Sequence, residues 1–60
     1  MKTKYLTPRE LEDALGIKIS YQAKLRMNRK IPFIKIGRRI LYNLEDIERW
    51  LYEHRVDQLG

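Results

Sequence analysis

The chain contains no cysteine and a single histidine, His54. It therefore has no disulfide staple and no thiolate metal site, and one imidazole does not build a metal centre alone. No segment approaches the roughly 20 apolar residues of a membrane span, and Met1 to Leu6 lacks the apolar core of a secretory signal. A nucleophile, a base and an orienting partner do not occur together, so no enzymatic activity is expected. These absences point to a cytoplasmic protein without membrane contact, metal or cofactor. With 60 residues, the chain is expected to form one domain over positions 1–60, its core running from about 5 to 55 and 56–60 forming a tail. A domain of that size buries only about 60% of the surface its unfolded chain exposes, so its core must be thin.

A further absence is local: no carboxylate occurs between Lys18 and Arg39. That stretch holds Lys18, Lys24, Arg26, Arg29, Lys30, Lys35, Arg38 and Arg39. The net charge is +5, and because these eight cations contribute +8, the other 38 residues carry −3. Surface charge runs usually mix signs, whereas this separation is the footprint of a face that meets a polyanion. The expected location is accordingly cytoplasmic and nucleoid-associated.

Local signals divide the chain into elements. In Thr7-Pro8-Arg9-Glu10-Leu11, Thr7 caps the amide of Glu10, Glu10 reaches back to the Thr7 amide, and Pro8 takes the first helical position. Leu6 is placed to staple onto Leu11. This helix presents Leu11, Ala14 and Leu15 inward, with Arg9, Glu12 and Asp13 outward, and Gly16 ends it in a left-handed turn. A second helix is expected from about Ile19 to Arg29, close enough to the first to form a helix-turn-helix. Leu11, Leu15, Ile17 and Leu25 fall where the two helices touch, while Gln22 occupies a position that the motif normally gives to an aliphatic residue. Pro32 then breaks the helix.

From Phe33 to Tyr42 the pattern is that of two strands around Gly37-Arg38-Arg39. A three-residue loop would gather Ile34, Ile36, Ile40 and Tyr42 on one face, whereas a two-residue loop at Gly37-Arg38 would mix Arg39 with Ile34, Ile36 and Leu41. The first register buries more and is the one expected, with Lys35 on the outward face. Asn43 caps a third helix, with Glu45 and Asp46 in its first turn and an inner stripe of Leu44, Ile47, Trp50, Leu51 and, at its end, His54. Trp50, Phe33 and Tyr42 are expected inside, since so small a domain needs its aromatics in the core. Glu45, Asp46 and Glu48 read as a cap and a solvated face, because helix phase spreads them apart. The fold class is α+β, a small winged helix-turn-helix in the order helix-turn-helix, two-stranded hairpin wing, C-terminal helix.

From Tyr5 to about Glu53 the chain resembles the excisionase-type, MerR-like DNA-binding domains of mobile genetic elements. The resemblance is carried by Tyr5-Leu6-Thr7-Pro8, Leu15-Gly16-Ile17, Ile31-Pro32-Phe33-Ile34-Lys35-Ile36-Gly37-Arg38-Arg39 and Asp46-Ile47-Glu48-Arg49-Trp50-Leu51. It implies a protein that reads the major groove of duplex DNA with its second helix and grips the flanking backbone with its wing. It also implies a role as a recombination directionality factor, a small transcription regulator, or a related phage function such as DNA recognition in packaging. An integrase or recombinase is then an expected partner. A protein-binding adaptor that turns the same basic face to an acidic partner is the competing expectation. No coiled-coil seam is present, so any cooperative self-association would run through the DNA.

The residues expected to meet DNA are Lys18, Ser20, Tyr21, Gln22, Lys24, Asn28, Lys35, Arg38 and Arg39. Projected at about 100° per residue, Ser20, Lys24 and Asn28 form one polar arc of the second helix, and Lys18, Gln22, Arg26 and Arg29 another. Lys24 can donate to guanine or to phosphate, and Tyr21 can offer its hydroxyl to a phosphate or pack on Leu25. Gln22 pairs with adenine if it faces DNA and lies between helices if the helix keeps the motif's usual phase. Lys18 stands where a serine or threonine cap is common, which leaves Ser20 open either as the cap or as a DNA contact. Arg38 and Arg39, at the hairpin tip, suit the minor groove or its phosphates, whereas Arg26, Arg29 and Lys30 suit the backbone or solvent.

Overall fold

The computed structural model describes residues 3–56. Its elements run β1 (Tyr5–Leu6), α1 (Pro8–Leu15), α2 (Ile19–Met27), β2 (Ile34–Ile36), β3 (Arg39–Asn43) and α3 (Leu44–Glu53). The winged helix-turn-helix order is present, with one addition. The two-residue strand β1 pairs antiparallel with β3, giving a three-stranded sheet in the order β1-β3-β2. Two residues ahead of a helix cap carry no strand periodicity of their own; Tyr5 and Leu6 become a strand only because Asn43 and Tyr42 lie opposite them.

Both ends of α1 form as their residue types dictate. The Thr7 hydroxyl accepts from the Glu10 amide at 3.1 Å, and Glu10 Oε1 accepts from the Thr7 amide at 2.9 Å. Gly16, at φ 75°, closes the helix by donating to the Glu12 carbonyl at 2.7 Å. An L side chain adopts that φ only with strain, so glycine is the residue for this turn. At α3, Asn43 Oδ1 accepts from the Glu45 and Asp46 amides at 2.8 and 3.2 Å, which lets β3 run into the helix without a loop.

Leu6, Leu11, Ile31, Tyr42 and Ile47 form the buried core, with Leu25, Ile40, Leu44 and Trp50 packed around it. Several residues expected inside are not. Ala14 and Leu15 are exposed at the end of α1, Leu51 and His54 are exposed on α3, and Phe33 stands at the surface. Sixty residues do not enclose two full helical stripes and a sheet face at once. Trp50 is half-buried, and its indole donates to the Lys30 carbonyl at 2.6 Å, so its polar edge holds the chain leaving α2. No helix among the described residues is long and apolar enough to cross a membrane. Of the expected tail, Val56 is exposed, and 57–60 lie outside the described residues.

The hairpin corrects the expected register. Ile34 faces Leu41, Lys35 faces Ile40 and Ile36 faces Arg39, so the loop is the two-residue Gly37-Arg38. Gly37 has φ 60° while Arg38 does not enter positive φ, the arrangement of a II′ turn with glycine first. Turn geometry overrides the burial argument because the outer face, with Ile34, Ile36 and Leu41, has no layer packed over it. Ile36 is left 63% exposed opposite Arg39. Lys35 also changes sides: opposite Ile40, it shares the face of Ile40 and Tyr42.

Thr7→Ala removes one half of the capping box and should destabilise the domain by about 1 kcal/mol. Thermal unfolding followed by circular dichroism should show a fall of roughly 4–8 °C; an unchanged midpoint would mean the box contributes nothing.

Candidate nucleic-acid interface

Helix α2 begins after Gly16, Ile17 and Lys18. Lys18 is the N-cap residue, at φ −61° and ψ 146°, and no side chain caps the helix. Ser20 is therefore the second helical residue, not the cap, and its hydroxyl is exposed. The helix stops at Met27, short of the expected Arg29. Asn28 follows as C-cap, donating its amide to the Lys24 carbonyl at 3.0 Å.

The phase of α2 is set by Gln22, which is 0% exposed. Its Nε2 donates to the Pro8 carbonyl at 3.0 Å and to the Ile17 carbonyl at 2.8 Å, so it clasps the start of α1 and the turn to α2. Its Oε1 has no partner. A side chain enclosed in this way does not reach a base edge, which removes Gln22 from the expected contacts. An aliphatic residue would fill the same space without these two bonds, so glutamine serves here as a polar substitute for the usual core residue.

With Gln22 inward, the opposite side of α2 carries Ser20, Ala23, Lys24 and Met27, flanked by Tyr21 and Asn28, all exposed. The Ser20, Lys24, Asn28 arc thus faces outward, while in the other arc Gln22 is buried and Arg26 half-buried and only its ends, Lys18 and Arg29, are exposed. Ala23 and Met27 were not singled out in the sequence, because apolar residues on a short helix read as core. Met27 is 82% exposed, and both side chains are the kind that meets a thymine methyl. Tyr21 is 56% exposed and borders an apolar groove with Ile17, Leu25, Trp50 and Leu51, so its ring has a packing surface while its hydroxyl stays free.

Arg38 lies in the hairpin turn and Arg39 begins β3, both exposed. Lys35 is exposed on the Tyr42 side of the hairpin. Arg26 is half-buried instead of solvated. Its Nη1 donates to the Tyr42 hydroxyl at 2.5 Å, and its guanidinium carbon lies 6.0 Å from the centre of the Phe33 ring. This one side chain connects α2 to the base of the wing. Glu45 and Asp46 are held at the α3 cap, with Asp46 3.5 Å from Arg49.

Two helices joined by a glycine turn, a hairpin behind them and a basic, outward-facing second helix define a helix-turn-helix protein of the DNA-binding class. A family model described as a helix-turn-helix domain matches residues 5–55, and the chain belongs to that family. No match was found among curated proteins or among solved structures.

Gln22→Ala should lower stability by about 2–4 kcal/mol, through the cavity and the two lost bonds. Gln22→Met, which keeps the volume and removes the unpaired oxygen, should stay within about 1.5 kcal/mol of the parent and leave base preference unchanged. Denaturant melts and binding-site selection check both, and an altered base preference in Gln22→Met would contradict the enclosed position.

Proposed function

We propose that this chain is a sequence-specific binder of double-stranded DNA, of the excisionase type, with α2 in the major groove and the hairpin on the adjoining minor groove or its phosphates. The observation that carries this reading is that the exposed side of α2, with Lys24 and the N-cap Lys18, and the tip of the hairpin, with Arg38 and Arg39, carry cations and no carboxylate, while Arg26 ties one to the other. Ser20, Ala23, Lys24 and Met27 would face base edges, and Lys18, Tyr21 and Asn28 would border them. Arg38 and Arg39 would enter the minor groove or bind its phosphates, and Lys35 would add a phosphate contact from the hairpin face turned toward Tyr42. The first-turn amides of α2, with no side-chain cap, are suited to a backbone phosphate.

Within that reading the chain acts as a recombination directionality factor, placed on repeated half-sites beside an integrase. The support is the excisionase-type resemblance together with membership of the helix-turn-helix family. A small transcription regulator of a mobile element would use the same surface and differ in where its site lies, at a promoter instead of a recombination site. Sites selected from a random duplex library, located in the source genome, separate the two roles.

Fluorescence anisotropy across a salt series tests the DNA reading itself. The affinity should fall steeply, with a log–log slope of roughly −0.9 per phosphate neutralised. Replacing Arg38 and Arg39 together with alanine should weaken all duplexes about alike, and Lys24→Ala should change the preference among sequences. A flat slope, or no preference for any duplex over heparin, overturns the reading.

A further inference from the structure

The segment between α2 and β2 holds a hollow lined by Arg26, Met27, Arg29, Ile31, Pro32 and Phe33. Two arginines and no carboxylate line it. Arg26 is already oriented, with one nitrogen on the Tyr42 hydroxyl and its plane near Phe33, so its other donors remain directed without an acid to neutralise them. Arg29 is the more informative residue. Its φ is 55°, and it is the one non-glycine residue with positive φ among those described. Its amide donates to the Arg26 carbonyl at 3.0 Å, and the Lys30 amide donates to the Leu25 carbonyl at 2.8 Å. That pair of bonds is a complete Schellman ending, whose left-handed position favours glycine. The arginine side chain receives nothing in return: among the described residues it has no hydrogen bond and no ion pair. A left-handed arginine with an idle side chain costs stability that the fold does not recover, a pattern that goes with function.

We propose that this hollow is a phosphate site, in which Arg29 and Arg26 together hold one backbone phosphate of duplex DNA. The inference rests on the proposed DNA reading. If α2 lies in the major groove and the hairpin in the adjoining minor groove, one sugar–phosphate strand runs between them. Residues 28–33 are the chain that joins the two elements, so they cross that strand, and the two arginines meet it there. The contact is to phosphate and carries no base preference.

The test uses the variant that relieves the strain, Arg29→Gly, beside the charge-preserving Arg29→Lys. Arg29→Gly should melt higher, by roughly 2–8 °C, so that lost binding is not lost folding. Its affinity for duplex should fall about fivefold to tenfold near 0.1 M salt, and its salt slope should become shallower, by less than the roughly 0.9 of a whole phosphate because Arg26 stays at the same phosphate. The loss should be the same on a selected site and on an unrelated duplex, and Arg29→Lys should keep the parental slope. Parental affinity and slope in Arg29→Gly, or a loss confined to one sequence, overturns the phosphate site while the DNA reading stands. A lower melting point for Arg29→Gly removes the strain premise. Absence of duplex binding by the parent chain overturns the DNA reading and this inference together.

Discussion

The bond from Arg26 to the Tyr42 hydroxyl is the interaction on which the relation between helix and wing depends. Tyr42 is fully buried, and its backbone pairs with Leu6 on one side of the sheet. Its ring shares the core with Leu11 of α1 and Ile47 of α3, and its hydroxyl takes a charged donor from α2. One residue thus joins sheet and helices. Bonds to a charged partner are worth more than neutral ones, roughly 1.5–3 kcal/mol, and leaving either partner unpaired costs a similar amount. With five buried hydrophobic residues among the described residues, that is a sizeable share of the total stability.

Gln22 fixes the other half of the geometry. Its two bonds to main-chain carbonyls set how α2 crosses α1, and with it the direction in which Ser20 and Lys24 point. Neither constraint is written in periodicity. The sequence signal for α2 was a polar residue in an expected apolar slot, which is compatible with either phase until Pro8 and Ile17 are placed beside it. Devices closed within a few residues were legible: the Thr7 box, the Gly16 turn and the Asn43 cap all form as their residue types require. Features that depend on a remote partner were not, and these include β1, the half-buried Arg26 and the exposure of Phe33.

The hairpin shows the same division in a sharper way. Burial favoured a three-residue loop, because that register collects four large side chains on one face. The argument assumed a second layer to cover them, and this fold has none beyond the wing. Once the outer face is solvent, burial no longer discriminates between registers and the glycine decides. Gly37, first in the loop, suits a II′ turn whose twist matches the strands. The result exposes Ile36, places Arg39 beside it and turns Lys35 toward the α2 side of the sheet.

On the proposed DNA reading, the exposed side of α2 also bounds what a single chain could read. From Ser20 to Met27 the helix advances roughly 10 Å at about 1.5 Å per residue. At about 3.4 Å per base pair along a strand, that spans some three base pairs. Each well-made contact discriminates by about 1–3 kcal/mol, but a three-pair word recurs roughly every 64 positions in a genome offering at least about 10⁶ competitors. The wing adds affinity and a preference for groove width, which does little to lengthen the word. On the proposed DNA reading, a helix with two small or apolar side chains for thymine methyls and one cation for guanine or phosphate would be a short reader. Under the proposed reading, selectivity on the scale of a genome would come from several copies on spaced half-sites, or from a second DNA-bound protein that supplies the rest of the address.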